Sequence, residues 1–337
     1  YNYQRRMGAS LVYLEKPNTE KHCIEGKNER FAYAACEMQG WRLNMEDAVI
    51  TNLSFDTDTA LFGVFDGHGG KEASVVVKNQ YEKILKDSEH YSSEDYEKAL
   101  YDSFFKMDEY LGSIEGKAQM KQVALENPES KSPLMKLLTG GDTATNPEDR
   151  TEDSFMLDSK GCTANVVFIK DNEIYCANAG DSRCVLANEG KAVELSFDHK
   201  PDNEIERARI IKAGSEISEG RVDGNLNLSR SLGDLKHKKK PGLLPEEQPI
   251  TCTPDIKRRI IQPGDDFIIM ACDGIWEVKS SQEIVDFVYE RIRKDMKLTK
   301  IIEELFDSLI SVDYTVTQGL GCDNMSCIII KLQDSIK

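Results

Sequence analysis

The chain has 337 residues, 39% hydrophobic and 30% charged, which allows a sizeable core beneath a soluble surface. Acidic residues outnumber basic ones, 59 to 43. The resulting net charge of −16 argues against nucleic acid or an anionic membrane as partner, since both need clustered positive charge, and suits a site that gathers divalent cations.

The nine cysteines contain no C-x-x-C pair, and the five histidines have no zinc-finger spacing to them. Cys162, Cys176, Cys272 and Cys327 sit among apolar residues and read as small core side chains, so a cytoplasmic or nuclear setting is expected. No run of eighteen apolar residues occurs, so no transmembrane helix is expected, and no signal peptide is read at the start. Met7-Gly8 is compatible with a natural start bearing an N-terminal lipid anchor, but Val12 stands where a myristoylation signal wants Ser or Thr.

In chain order, short apolar runs bounded by turn residues predict strands at Phe31–Cys36, Thr59–Asp66, Cys162–Ile169, Glu173–Ala179, Cys184–Ala187, Lys191–Leu195, Asp266–Cys272 and Met325–Lys331. Lys170-Asp171-Asn172 and Asn188-Glu189-Gly190 read as hairpin loops, which favours antiparallel sheets. Apolar residues near 3.6 spacing predict helices over Gly70–Asp87, Ser93–Leu111, Asn203–Ala213, Ser281–Arg293 and Thr299–Val312. Cap residues and acids open two of them, at Ser93-Glu94-Asp95 and Ser281-Gln282-Glu283, and Gly214 stops a third. Strand pairs in separate blocks from helices point to sheet-on-sheet packing with helices outside, an α+β fold. Gly112–Lys160, rich in polar residues, reads as an inserted, partly disordered loop with a short helix at Pro133–Leu138. The basic run Lys236–Lys240 reads as a solvated loop.

Five strand ends carry an acid beside a small residue: Glu46 and Asp47, Asp66, Asp181, Asp273 and Asp323. Glycines beside Asp66 let the backbone approach an ion closely. Like charges ~4 Å apart repel by about 4 kcal/mol at an effective dielectric near 20. Divalent cations relieve that cost, and oxygen-only ligands favour Mg²⁺ or Mn²⁺ over Zn²⁺.

The ordered set Gly40-Trp41-Arg42, Met45-Glu46-Asp47-Ala48, Phe65-Asp66-Gly67-His68-Gly69-Gly70, Gly161-Cys162-Thr163-Ala164, Gly180-Asp181-Ser182-Arg183, Asp198-His199-Lys200-Pro201, Leu228-Ser229-Arg230, Leu232-Gly233-Asp234, Cys272-Asp273-Gly274 and Asp323-Asn324 resembles the type-2C, metal-dependent protein serine/threonine phosphatases. The resemblance implies a four-layer αββα sandwich of two antiparallel β-sheets flanked by helices. It implies a single catalytic domain over 1–337, with the insertion at about 112–160 and a flap at about 196–234. Asp66 would bridge two Mg²⁺ or Mn²⁺ ions, Glu46 and the Gly67 carbonyl completing one, Asp273 and Asp323 the other. Asp47 would act through water, and Asp181 with Asp273 would hold a weaker third ion. Arg42 would clamp phosphate, and His68 would protonate the leaving alkoxide as metal-activated water attacks. Phosphoserine and phosphothreonine proteins would be the substrates of a monomeric enzyme. Cys162, Asp223 and Ser215 depart from the family pattern at positions that are not ligands.

Two rivals are weighed. Cys36 and Arg42 fit the C-x₅-R spacing of cysteine-dependent phosphatases, but so do Cys252 and Arg258, and that chemistry needs a low-pKa thiolate among backbone donors. A catalytically dead scaffold is the other, disfavoured by the intact acid set.

Overall fold

The structure, a computed structural model, describes residues 13–126 and 156–332. Strand β1 (Tyr13–Lys27) leads into β2 (Phe31–Arg42), β3 (Ala48–Asp56), β4 (Thr59–Phe65) and the two-residue β5 (Gly67–His68). Helices α1 (Glu72–Lys86), α2 (Glu89–Ser92), α3 (Tyr96–Gly112) and α4 (Ile114–Glu126) follow. Next come β6 (Gly161–Cys162), β7 (Ala164–Lys170), β8 (Glu173–Ala179), β9 (Arg183–Asn188), β10 (Lys191–Glu194), α5 (Glu204–Lys212), β11 (Ile217–Ser218), β12 (Arg221–Val222) and β13 (Leu232–Gly233). The chain closes with β14 (Asp255–Ile260), β15 (Asp265–Ala271), α6 (Asp273–Trp276), α7 (Ser281–Ile292), α8 (Leu298–Leu309), α9 (Tyr314–Thr317) and β16 (Met325–Leu332).

Two compact units result. The first comprises the chain up to Asp66, Ala164–Asp198 and the chain from Asp255 onward. It holds two antiparallel sheets, ordered β1-β2-β16-β15-β9-β10 and β14-β8-β7-β4-β3. Successive strand side chains point to opposite faces. In β15, Phe267, Ile269 and Ala271 join a cluster with Ile284, Val288, Ile301, Leu305 and Phe306 of α7 and α8. The alternate residues Ile268 and Met270 join Phe62, Val64, Val167 and Ile174 of the second sheet. A strand buried on both faces must be apolar throughout, which is why 267–271 reads as one unbroken hydrophobic run. Leu305 is fully buried, and its truncation to Ala should cost about 2–5 kcal/mol.

The second unit comprises Gly67–Thr163 and His199–Pro254. Its helices α1 and α3 pack through Tyr81, Leu85, Phe104 and Met107, all buried, and the Tyr81 and Ser103 hydroxyls share a 2.8 Å hydrogen bond. A three-stranded sheet of order β13-β6-β5 occupies another part of it. Ile210 of α5 meets Val222 and Ile250 in a small core of its own.

The fold class is α+β, two main antiparallel sheets with helices, as expected. Strands β1 and β14 were not legible in the sequence, because both are edge strands whose residues alternate between partial and full exposure. Helix α4 occupies the first part of the segment read as an inserted loop; its many polar residues carry good helix propensity without an apolar stripe. The helix expected at Pro133–Leu138 lies outside the described residues.

The basic run is only partly the solvated loop expected: Lys236 and Lys239 are exposed, but the Lys238 side chain is buried and donates to Asp108 Oδ1 at 2.7 Å and to the Ser231 carbonyl at 2.8 Å. Lys239 pairs with Asp158, and Lys240 Nζ donates to the Gly214 carbonyl at 3.2 Å.

Candidate active site

Antiparallel pairing decides which strand ends meet. In the six-stranded sheet, Ala271 at the end of β15 lies opposite Cys327 near the start of β16 and Arg183 at the start of β9, while Met325 faces Met38 in β2. One edge of that sheet therefore carries Arg42, Asp273 and Asp323. In the five-stranded sheet, Ala48 faces Phe65 and Ala164 faces Ala179. One end of that sheet therefore carries Glu46, Asp47, Asp66 and Asp181.

The two sets share an electric field. Asp66 touches solvent but is ringed by protein, and its carboxyl is pushed well above the usual range by burial and then by Asp47, Asp273, Asp323 and Asp181. Asp47 is pushed up to about 7, by burial foremost and by Asp323. Ser326 and Cys272 lie close enough to ease its charge, yet Asp47 Oδ2 is buried with no hydrogen-bond partner among the described residues. Asp181 is 1% exposed. Among the described residues no three His, Cys, Asp or Glu side chains close into a ready-made ion cage. Arrays of oxygens that repel one another, one of them orphaned in the interior, nonetheless have the donor chemistry of a hard divalent cation site.

Arg42 donates from Nη2 to Asp323 Oδ2 at 2.5 Å. Burial works against its charge, but Asp323 outweighs that and raises the guanidinium pKa further. Its Nε is buried without a partner among the described residues, a donor still to be satisfied. Trp41 Nε1 anchors the same strand end on the Ser311 carbonyl at 2.9 Å. Asn324, quoted in the sequence only beside Asp323, binds this region together: Oδ1 accepts from the Glu46 N–H at 2.9 Å, and Nδ2 donates to the Gln39 and Asn44 carbonyls at 2.7 and 3.0 Å. Nothing in the sequence distinguished it from a turn asparagine.

Gly67 and His68, next along the chain after Asp66, form β5 in the second unit, paired with Cys162 and Gly161. His68 Nε2 lies 2.7 Å from Asp234 Oδ2. Asp234 is buried, and although burial opposes its charge, His68, Ser231 and Lys238 hold its carboxyl below the usual range. The sequence showed Asp234 as part of a motif but gave it no role, for the contact closes over 166 positions of chain.

Cys36 is buried mid-strand opposite Cys23 and joined to it in a disulfide, a bond not anticipated from the sequence. It offers no thiolate, which removes the C-x₅-R reading. Cys162, Cys176, Cys272 and Cys327 are buried thiols outside any disulfide, as expected.

Two antiparallel sheets with acids gathered at their strand ends suit a hydrolase, and relatives define which kind. The protein phosphatase 2C family model matches residues 31–145 and 116–315. The probable protein phosphatase 2C 5 of Paramecium tetraurelia is 40% identical over 318 residues, 94% of this chain and 98% of that one. The probable protein phosphatase 2C 21 of Arabidopsis thaliana is 39% identical over 335 residues, 96% and 92%. The crystal structure of the serine-threonine phosphatase 2C from Toxoplasma gondii aligns with a TM-score of 0.69 at 17% identity, covering 93% of this chain and 99% of that one. The chain belongs to the protein phosphatase 2C family. It is accordingly an enzyme, a protein serine/threonine phosphatase.

Proposed function

We propose that the chain hydrolyses phosphoserine and phosphothreonine esters of proteins at the acid cluster around Asp66. The supporting observation is the carboxyl of Asp66, held well above its ordinary range by burial and by four neighbouring acids. Two hard divalent cations, Mg²⁺ or Mn²⁺, would neutralise that cluster and activate water for in-line attack on phosphorus. Glu46, Asp66 and the Gly67 carbonyl would hold one ion, and Asp66, Asp273 and Asp323 the other. Asp47 would act through water, and Asp181 with Asp273 would hold a weaker third ion.

The protein's own groups do the rest. Arg42 presents a planar fork to two phosphate oxygens, leaving Asp323 when it does so. His68 protonates the leaving alkoxide from Nδ1, the ring nitrogen not turned to Asp234. The chain works as a single catalytic domain and a monomer. Its seven buried thiols outside any disulfide support the cytosol or nucleus, while the Cys23–Cys36 bond runs the other way. No helix of the described residues is long and apolar enough to cross a membrane.

The test is phosphate release from a phosphoserine protein in Mn²⁺ and again in EDTA. Turnover should vanish with the chelator and in Asp66→Ala, and survive in Cys36→Ser. Activity that persists in EDTA would sink the metal reading, and no release at any Mn²⁺ concentration would favour a scaffold.

A further inference from the structure

The small sheet of the second unit is built around one missing side chain. His68 in β5 pairs with Gly161 in β6, and Gly161 pairs with Gly233 in β13. The histidine and the aspartate that follows Gly233 thus lie on either side of the central strand. A Cβ at Gly161 would stand 2.3 Å from Asp234 Oδ2 and 2.7 Å from His68 Nε2, closer than either atom allows. Glycine at 161 leaves open the space through which the imidazole reaches the carboxylate.

The carboxylate is itself fixed. Ser231 Oγ donates to the same Oδ2 at 2.6 Å, and the Asp234 N–H donates to the Lys160 carbonyl at 2.9 Å. The neighbouring Gly233 N–H donates to Asp108 Oδ1 at 2.7 Å, and Lys238 bridges Asp108 to the Ser231 carbonyl. Asp234 adopts a left-handed backbone, φ +51°, which aspartate and asparagine tolerate better than most residues. A residue held in an uncommon conformation by this many bonds has a fixed orientation to pass on.

We propose that Asp234 is the positioning residue for His68, accepting from Nε2–H and fixing the rotation of the ring so that the Nδ1–H of its acid form is presented to the leaving oxygen. In the acid form of the ring both nitrogens carry a proton, and a carboxylate holding Nε2–H leaves Nδ1–H as the one to be donated. Asp234 is buried, and its assigned role is exerted through the ring. The inference rests on His68 being the acid of the proposed reaction.

Two substrates separate this from a structural role: a phosphoserine peptide, whose alkoxide needs a proton, and p-nitrophenyl phosphate, whose phenolate does not. His68→Ala should lose about 100-fold or more in kcat on the peptide and little on the aryl ester. Asp234→Asn, which keeps the left-handed backbone, should show the same split with about a 10-fold loss, and Gly161→Ala should follow it. The double variant His68→Ala/Asp234→Asn should be no slower than His68→Ala alone, since the aspartate acts through the ring. Ring ¹⁵N shifts of His68, read where the ring is neutral, should report the Nε2–H tautomer in the parent and a mixture in Asp234→Asn. Equal losses on both substrates, additive losses in the double variant, or an unchanged tautomer would overturn the proposal. If His68→Ala itself shows no split, the acid reading falls and this one with it; if His68→Ala splits and Asp234→Asn does not, only the positioning role falls.

Discussion

Single side chains in this protein are set by what sits beside them after folding. Arg42 is one case: its fork lies on Asp323, with 43% of its side chain exposed. Lysine keeps the charge but loses the planar pair of donors. Arg42→Lys should therefore lower kcat/KM on a phosphopeptide about 10-fold, mainly through KM, with the fold intact by circular dichroism. An unchanged kcat/KM would remove Arg42 from phosphate binding. Glu206 is a second case. It is buried in α5, accepts from Arg230 Nε and Nη2 and from Ser229 Oγ, and pairs with Arg209. Burial opposes its charge, but Arg230 and Arg209 win and its pKa falls to about 2. A depressed carboxyl pKa stabilises the fold fully above the unfolded value of roughly 4.3, and the contribution fades as pH drops toward 2. Acid unfolding should thus steepen between about pH 4.5 and 2. Glu206→Gln should flatten that limb and cost about 3–5 kcal/mol at pH 7, because two arginines lose their partner. Urea titrations across pH measure both, and parallel pH profiles for the two proteins would refute the assignment. At this scale the acids at strand ends were visible in the sequence because each sits beside a glycine or another small residue. Asp234 and Asn324 were not, since their partners lie far along the chain.

Elements were legible in proportion to how one-sided their surroundings are. The hairpins β7-β8 and β9-β10 alternate or run apolar between turn residues, and they stand within a residue or two of the expected positions. Strand β2 extends to Arg42 rather than stopping at Cys36, because β16 pairs with it as far as Met38 and β1 beyond that. That extension is what carries Trp41 and Arg42 to the edge where Asp323 stands, so the missed half of the strand is the functional half. Helix starts are marked by local chemistry but fall a residue or two from the expected ones: the caps are Ser280, just before the expected Ser281, and Asp95, two residues after the expected Ser93. Ser280 caps α7, accepting from the Glu283 N–H while Glu283 accepts from the Ser280 N–H at 2.9 Å. Ser280→Ala should cost about 1 kcal/mol. Since α7 covers the outer face of the six-stranded sheet and carries no candidate catalytic group, the midpoint of denaturation should fall while kcat of the folded enzyme stays constant. A matching loss of kcat would mean that the helix start is coupled to the strand ends.

On the scale of the whole molecule, the charge of −16 and the gathered carboxylates lead to the expectation that divalent cations stabilise the fold. Repulsion around Asp66 opposes folding whenever those acids are ionised, and a cation bound only to the folded form relieves it. Such binding adds RT ln(1 + [L]/Kd), about 2.7 kcal/mol at one hundred times the dissociation constant. For a chain of 337 residues each kcal/mol moves the melting temperature by about 1.5 °C, so Mn²⁺ at that level should raise Tm by roughly 4 °C. Sodium chloride of matched ionic strength should give much less, because screening acts on all surface charge and does not fill a site. Asp66→Asn removes the most frustrated carboxylate, so two opposite changes are expected together: a higher Tm than the parent in EDTA, and a lost response to Mn²⁺. A general electrostatic effect would leave the Mn²⁺ response of Asp66→Asn nearly intact, and a purely structural role for Asp66 would lower its Tm in EDTA. Only a cation site centred on Asp66 raises the one and abolishes the other, and a scan of both proteins in both buffers reads the outcome without any phosphorylated substrate.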